Sequence, residues 1–285
     1  MKRIIYKIFI LVLSIALVLE YPLAAMASEA ESEIFALEST LRNQVQPRSG
    51  VYTTVKTPMG SSVEVFIDDY ILSEGAVSVY DAEADAAYPD AIRLQSATTR
   101  YNCHSYAWYS QNHDTNIYWM EDPSRYLLDG SADEIEKQVG CIVVYFSPQG
   151  QIVHSGIVTE LLAPSSNNGV CGDVSTVMVT SKWGEYGTYS HRGDMCPYTA
   201  YAEGKEPAGS VLASYVRYYH LHTPVYVPAG TLGHEHSCST CGTIFSTGIH
   251  VVQQTVGGKY KCIYCGYLRP DIPGFNKIPH QLYIN

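Results

Sequence analysis

Basic residues are scarce in this chain of 285 residues: 18 Lys and Arg stand against 28 Asp and Glu, a formal net charge of −10. No cluster of Lys or Arg appears beyond the first few residues. Binding to a phosphate backbone needs such a cluster, so its absence argues against a nucleic-acid partner. Long apolar runs are equally rare. The longest, residues 8–19, falls short of the roughly 20 residues a membrane-spanning helix requires and is closed by Glu20. Phe is sparse as well, with 6 copies against 24 Tyr, which suits half-wet surfaces that contact sugars or peptides and equally a half-wet core. Core-forming residues are not lacking: 46% of the chain is hydrophobic, so one or two packed domains are expected.

The N-terminal run has its own logic. Lys2, Arg3 and Lys7 precede it, and the small residues Ala25 and Ala27 follow. That is the layout of a secretory signal cleaved after Ala27, so residues 1–27 are expected to direct export to a secreted or cell-wall location. Membrane contact is then limited to this segment, and disulfides are permitted. Residues 28–50, acidic with Leu, Ile and Phe at helical spacing, read as a leader or short helix that stops at Pro47 and Gly50.

Alternation over residues 51–72 predicts a hairpin that turns at Pro58, Met59 and Gly60. The Ala-rich stretch that follows, up to Thr99, reads as a surface connection. Asp122 and Pro123 mark a helix start, and Ser131 with Glu134 forms a capping box for a second short helix. "VGCIVVYFS" and "QIVHSGIVTE" flank Pro148, Gln149 and Gly150 as a hairpin, and "VSTVMVTSKW" supplies a third strand. A Cys-bearing helix followed by helical connections and antiparallel strands predicts an α+β domain over residues 51–227.

The stretch "RYNCHSYAWYSQN" sets Cys103 at the expected start of a helix, with Asn102 as its N-cap. The partial positive charge there favours a thiolate, and the Cys103 N–H is placed to meet a developing oxyanion. His104, one residue on, points about 100° away and is a poor base for that thiol. His154, mid-strand in "QIVHSGIV" with small Gly156 two residues on, is a better one, although a histidine in an apolar strand is commonly just a hydrogen-bonded core residue.

"YNCHSYAW", "VGCIVVYFSPQGQIVHSGIV" and "VTSKWGEYGTYSHRGDMCPY" together resemble the NlpC/P60 and CHAP branch of papain-like cysteine peptidases and amidases. The resemblance covers about residues 95–200. It implies a papain-like helix packed on an antiparallel sheet, a Cys103 nucleophile, His154 as base and then acid, and an amide substrate in peptidoglycan peptides or at their junction with the sugar; for a secreted thiol hydrolase an exported peptide is the other substrate expected. It also asks for a polar residue on the next strand; Ser181 is the candidate, with His191 as runner-up. The chain departs from the family where Asn102-Cys103-His104-Ser105 replaces Asp-Cys-Ser-Gly and Gly140-Cys141 replaces Gly-Asp. The alternative is a non-catalytic protein that holds cell-wall material or a partner on a degenerate scaffold of the same kind.

From residue 228 the composition turns to Cys, His and Gly. "HSCSTCGTIF" and "YKCIYCGYL" give Cys238, Cys241, Cys262 and Cys265, two Cys-x-x-Cys pairs separated by 20 residues, each followed by Gly. The spacing predicts a zinc-ribbon-like module over residues 228–285 with a structural Zn2+ held by the four thiols. His234, His236 and His250 are possible substitute ligands, and two disulfides are the rival outcome outside the cell. Redox chemistry is disfavoured, since neither pair sits in a strand-then-helix setting. Of the other cysteines, Cys141 is expected in the core and Cys171 is placed to pair with Cys196.

Overall fold

In the computed structural model the described residues are 49–163, 174–205, 211–256 and 258–268, all within the unit Ser49–Asn285. The signal segment, residues 28–48 of the expected leader and Cys171 lie outside them, and Gly50, expected to close the leader, opens the first strand. The first element is the expected hairpin: β1 (Gly50–Lys56) pairs with β2 (Ser62–Asp68), turning at Gly60 with a φ of 90°.

The Ala-rich stretch is not a loose connection but α1 (Glu74–Ala87). Ser73 caps it by accepting from the Ala76 N–H at 3.2 Å, and Ala84 is fully buried. An alanine-rich segment costs little to hold as a helix once a cap and one apolar stripe are available. Next come β3 (Ile92–Gln95), α2 (Cys103–Trp108) and α3 (Ser124–Leu128). The capping box at Ser131 is not realised: β4 (Ala132–Ile135) runs there instead. The Ser131 hydroxyl accepts from the Met59 N–H at 3.0 Å, so it caps no helix, and Asp133 and Glu134 are the outward residues of a short edge strand.

The remaining main-sheet strands are β5 (Ile142–Phe146), β6 (Ile152–Leu161), β7 (Val177–Lys182), β8 (Thr188–Arg192) and β9 (Tyr215–Leu221). They join β3 and β4 in a seven-stranded antiparallel sheet of order β3-β8-β7-β6-β5-β9-β4. Central β5, buried at every position, shows why "IVVYF" is apolar without alternation: it is covered on both faces. One face, with Val143, Tyr145, Val158, Val179 and Tyr189, packs around Ala84 and Tyr88; the other, with Ile142, Val144 and Phe146, packs on Ala107 and Trp108 of α2 and on Val63 and Val65 of β2.

The α+β papain-like arrangement expected from the sequence is therefore corrected. Among the described residues there are fourteen strands, all paired antiparallel, against three α-helices of 14, 6 and 5 residues. The helix that carries Cys103 is less than two turns long and forms no layer of its own; the architecture is β-rich.

The last five strands are β10 (Pro224–Ala229), β11 (Gly233–Cys238), β12 (Ile244–Ile249), β13 (Val252–Gln254) and β14 (Tyr260–Cys262). β10-β11-β12 form one sheet and β13-β14 another. Pro228, taken from the sequence as the boundary of the second module, lies inside β10. Among the described residues no helix is long and apolar enough to cross a membrane.

Candidate functional site

The N-cap predicted for the Cys103 helix is present. Asn102 Oδ1 accepts from the Ser105 N–H at 3.1 Å and from the Met120 N–H at 3.2 Å, while its amide donates to the Met120 carbonyl at 2.7 Å. One side chain thus fixes the start of α2 against residue 120, and Cys103 is the first helical residue. α2 lies on β6 and β7. Its anchor is Ser155: Trp108 Nε1 donates to Ser155 Oγ at 3.1 Å, and the same hydroxyl meets His104 Nδ1 at 3.0 Å.

Cys103 is 5% exposed. Burial pushes its thiol up to about 12, against the pull of the Ser155 and His104 backbone N–H groups and of the Lys182 ammonium. A thiol in this position is protonated at neutral pH. The Ser155 N–H also places Cys103 against β6 at the residue that follows His154.

His154 is fully buried, and its side chain leaves β6 on the face opposite Ser155, toward Tyr145. The Tyr198 ring lies flat on the imidazole at 4.0 Å between centroids. Neither ring nitrogen has a hydrogen-bond partner among the described residues, and no hydrogen bond joins His154 to Cys103. Burial, then the neighbouring His191 and His104, hold the imidazole well below its ordinary value, so it is neutral. A buried polar atom left unpaired costs about 1–3 kcal/mol, and two on one ring call for a functional explanation. Gly156 leaves this part of β6 without a side chain because a Cβ there would lie 2.5 Å from Val179 Cγ1. Close packing of β6 on β7, not an open cleft, accounts for that glycine.

Ser181 does not orient His154. It accepts from Trp183 Nε1 at 3.1 Å and meets His191 Nε2 at 2.9 Å, while His191 Nδ1 donates to the Arg192 carbonyl at 2.8 Å. The order Trp, Ser, His repeats the one at Trp108, Ser155 and His104. His154, His191 and Cys196 lie close enough to share a metal ion. Both His191 nitrogens are already engaged, however, and this set is set aside. Cys196 is buried, and Cys141 is in the core as expected.

Lys182, beside Ser181 on β7, was not singled out from the sequence. It is fully buried, and Nζ donates to three backbone carbonyls: Thr98 at 3.0 Å, Gly184 at 2.6 Å and Tyr186. Burial pulls the amine down to about 7, resisted first by the nearby Cys103. The side chain staples residue 98, just before α2, to the turn between β7 and β8. Lys182→Met leaves these carbonyls without their donor and is expected to destabilise the fold by about 3–5 kcal/mol. A urea midpoint unchanged by that substitution would show the staple to be dispensable.

In the C-terminal module the four cysteines do not meet in one set. Cys238 and Cys241 stand with His220 and His222; Cys262 and Cys265 stand with His234 and His250. Within each set the four donor atoms lie within 4.8 Å of one another, and each set can hold a metal ion. Of the histidines considered from the sequence, His234 and His250 take part, whereas His236 stacks on Tyr226 at 4.4 Å. His220 and His222 were missed. Their signal is a His-x-His at the end of an apolar strand shortly before a Cys-x-x-Cys.

Compared with protein-family models, curated proteins and solved structures, the chain matches none of them.

Proposed function

We propose that the chain is a thiol-dependent amidase or endopeptidase of the NlpC/P60 and CHAP kind in its chemistry, exported by its N-terminal segment and acting on amide bonds in peptidoglycan peptides. The observation that carries this reading is the capped helix start: Cys103 is the first residue of α2, locked by Asn102 and faced by the Ser155 N–H. His154, the base that the resemblance implies, leaves β6 on the face opposite α2 and has no bond to Cys103, so it is not carried into this reading. In this reading Cys103 Sγ gives its proton to solvent and attacks the amide carbonyl, and the departing amine takes a proton from water as the C–N bond breaks. Water then cleaves the thioester and returns a proton to the sulfur. The Cys103 and Ser155 N–H groups are the donors for the oxyanion. Zn2+, held by the cysteines of the C-terminal module with nearby histidines, is structural and takes no part in the reaction.

Digestion of purified peptidoglycan tests this. The protein is expected to release peptides with new amine ends, and none from a Cys103→Ser preparation. Equal fragment release by both preparations would remove the assignment. A second reading, a cell-wall or partner-binding protein without turnover, is favoured by the closed state of the thiol and its lack of a bond to His154. Binding to peptidoglycan without fragment release would establish that reading instead.

A further inference from the structure

We infer that the protein carries two separate zinc ions, each in a Cys2His2 set, and that the first ion clamps the C-terminal ribbon to the seven-stranded sheet. A tetrahedral zinc with sulfur at about 2.3 Å and nitrogen at about 2.0–2.1 Å sets a sulfur-to-nitrogen edge of about 3.6 Å. The first set has His220 Nε2 to Cys238 Sγ at 3.5 Å and His222 Nδ1 to Cys241 Sγ at 3.6 Å. The second has His234 Nδ1 to Cys262 Sγ at 3.8 Å and His250 Nδ1 to Cys265 Sγ at 3.4 Å. These separations match the edge in both sets.

The surroundings are those of bound metal. His222 turns its other nitrogen, Nε2, to Asp133 Oδ2 at 3.1 Å, and His250 turns its Nε2 to the Gly230 carbonyl at 3.3 Å. An outer acceptor on the far nitrogen fixes the tautomer and aims the free lone pair inward, as ligating histidines require. Gly242 and Gly266, at φ of 76° and 72°, close the two Cys-x-x-Cys turns, each donating its N–H to the carbonyl of the first cysteine. With four protein donors each, neither set leaves a position for substrate, so both are structural.

The first set crosses between sheets. His220 lies on β9 and Asp133 on β4, both in the main sheet, whereas Cys238 ends β11 and Cys241 follows it. A cavity of about 560 Å³ lined by Asp133, Cys141, His220, His222 and Cys241 opens beside this set and gives an ion its way in. The second set draws only on residues after 233 and closes the ribbon on itself.

Elemental analysis of the full chain, purified without chelator, is expected to find two zinc ions per chain. Cys241→Ser and Cys265→Ser are each expected to retain one. Should a variant fail to fold, titration of the metal-stripped wild-type chain with Co2+ gives an independent answer: the visible absorption of tetrahedral sulfur-ligated cobalt saturates at two equivalents. Saturation at one equivalent, a single zinc in the wild-type chain, or oxidation of the four cysteines to disulfides under denaturing alkylation would each overturn the inference. None of these results depends on whether Cys103 is catalytic.

Discussion

Replacing Cys103 with alanine is expected to lower the rate of amide cleavage by at least about 10^3-fold while the fold persists, because a covalent route loses its first bond without the attacking atom. The side chain removed is small, and the helix start is held by Asn102, so stability should fall by only about 1 kcal/mol. His154→Ala, on the opposite face of β6, should leave cleavage largely intact. Loss as large as in the Cys103 variant would show that the two act as a unit. The pH profile gives a further check. Burial pushes the Cys103 thiol up to about 12. The nucleophilic thiolate is thus scarce at neutral pH, and cleavage should rise as the solution is made alkaline; a narrow optimum near neutrality would point to a preformed ion pair instead.

The folded protein is expected to be acid-labile. Burial lowers His104 and His191 to about 4, from an ordinary value of 6.5. In the unfolded chain both bind protons near the ordinary value, so their contribution to stability is complete above 6.5 and is lost as the pH falls from there toward 4. Each is worth about 3 kcal/mol by proton linkage, a large share of the roughly 5–15 kcal/mol that holds a domain together. Geometry explains the direction. In each Trp-Ser-His series the indole can only donate, which leaves the serine hydroxyl hydrogen for the ring nitrogen. Protonating the ring removes that acceptor and places a charge in a buried site where, among the described residues, no carboxylate forms an ion pair with it, and where the pull of Asp122 on His104 and of Asp194 on His191 does not offset burial. Urea midpoints from pH 7 to 4.5 should fall steeply, and the slope should be shallower by up to about one proton in His104→Gln. A midpoint independent of pH over that range would contradict the burial argument.

How far the sequence foretold these features depended on whether a signal was local. The two hairpins at 51–68 and 142–161 were legible because turn residues with left-handed glycines sit between runs that alternate or stay apolar. The Asn102 cap and both Cys-x-x-Cys turns are likewise written within a few residues. What was not legible depends on pairing. "SADEI" carries a helix signature, but the strand partner Tyr218–Leu221 settles it as β4. The dominance of strands, which overturned the α+β expectation, follows from many such pairings. Ser181 was placed beside His154, as the residue that orients it, by order along the chain. Only the fold shows that its hydroxyl is taken by Trp183 and His191. The missed ligands His220 and His222 lie at the end of β9; their His-x-His spacing marks a possible ligand pair, but only the fold shows that a knuckle sixteen residues later turns back onto them.

The two Cys/His sets are threaded through one another: His234 falls in the chain between His222 and Cys238. Once the earlier knot is tied, the segment that must still be searched to tie the later one is shorter and already bent back on itself, so its closure costs less chain entropy. Filling of the amino-terminal site should therefore ease filling of the second, so that the two ions enter in that order although each site can hold its ion alone.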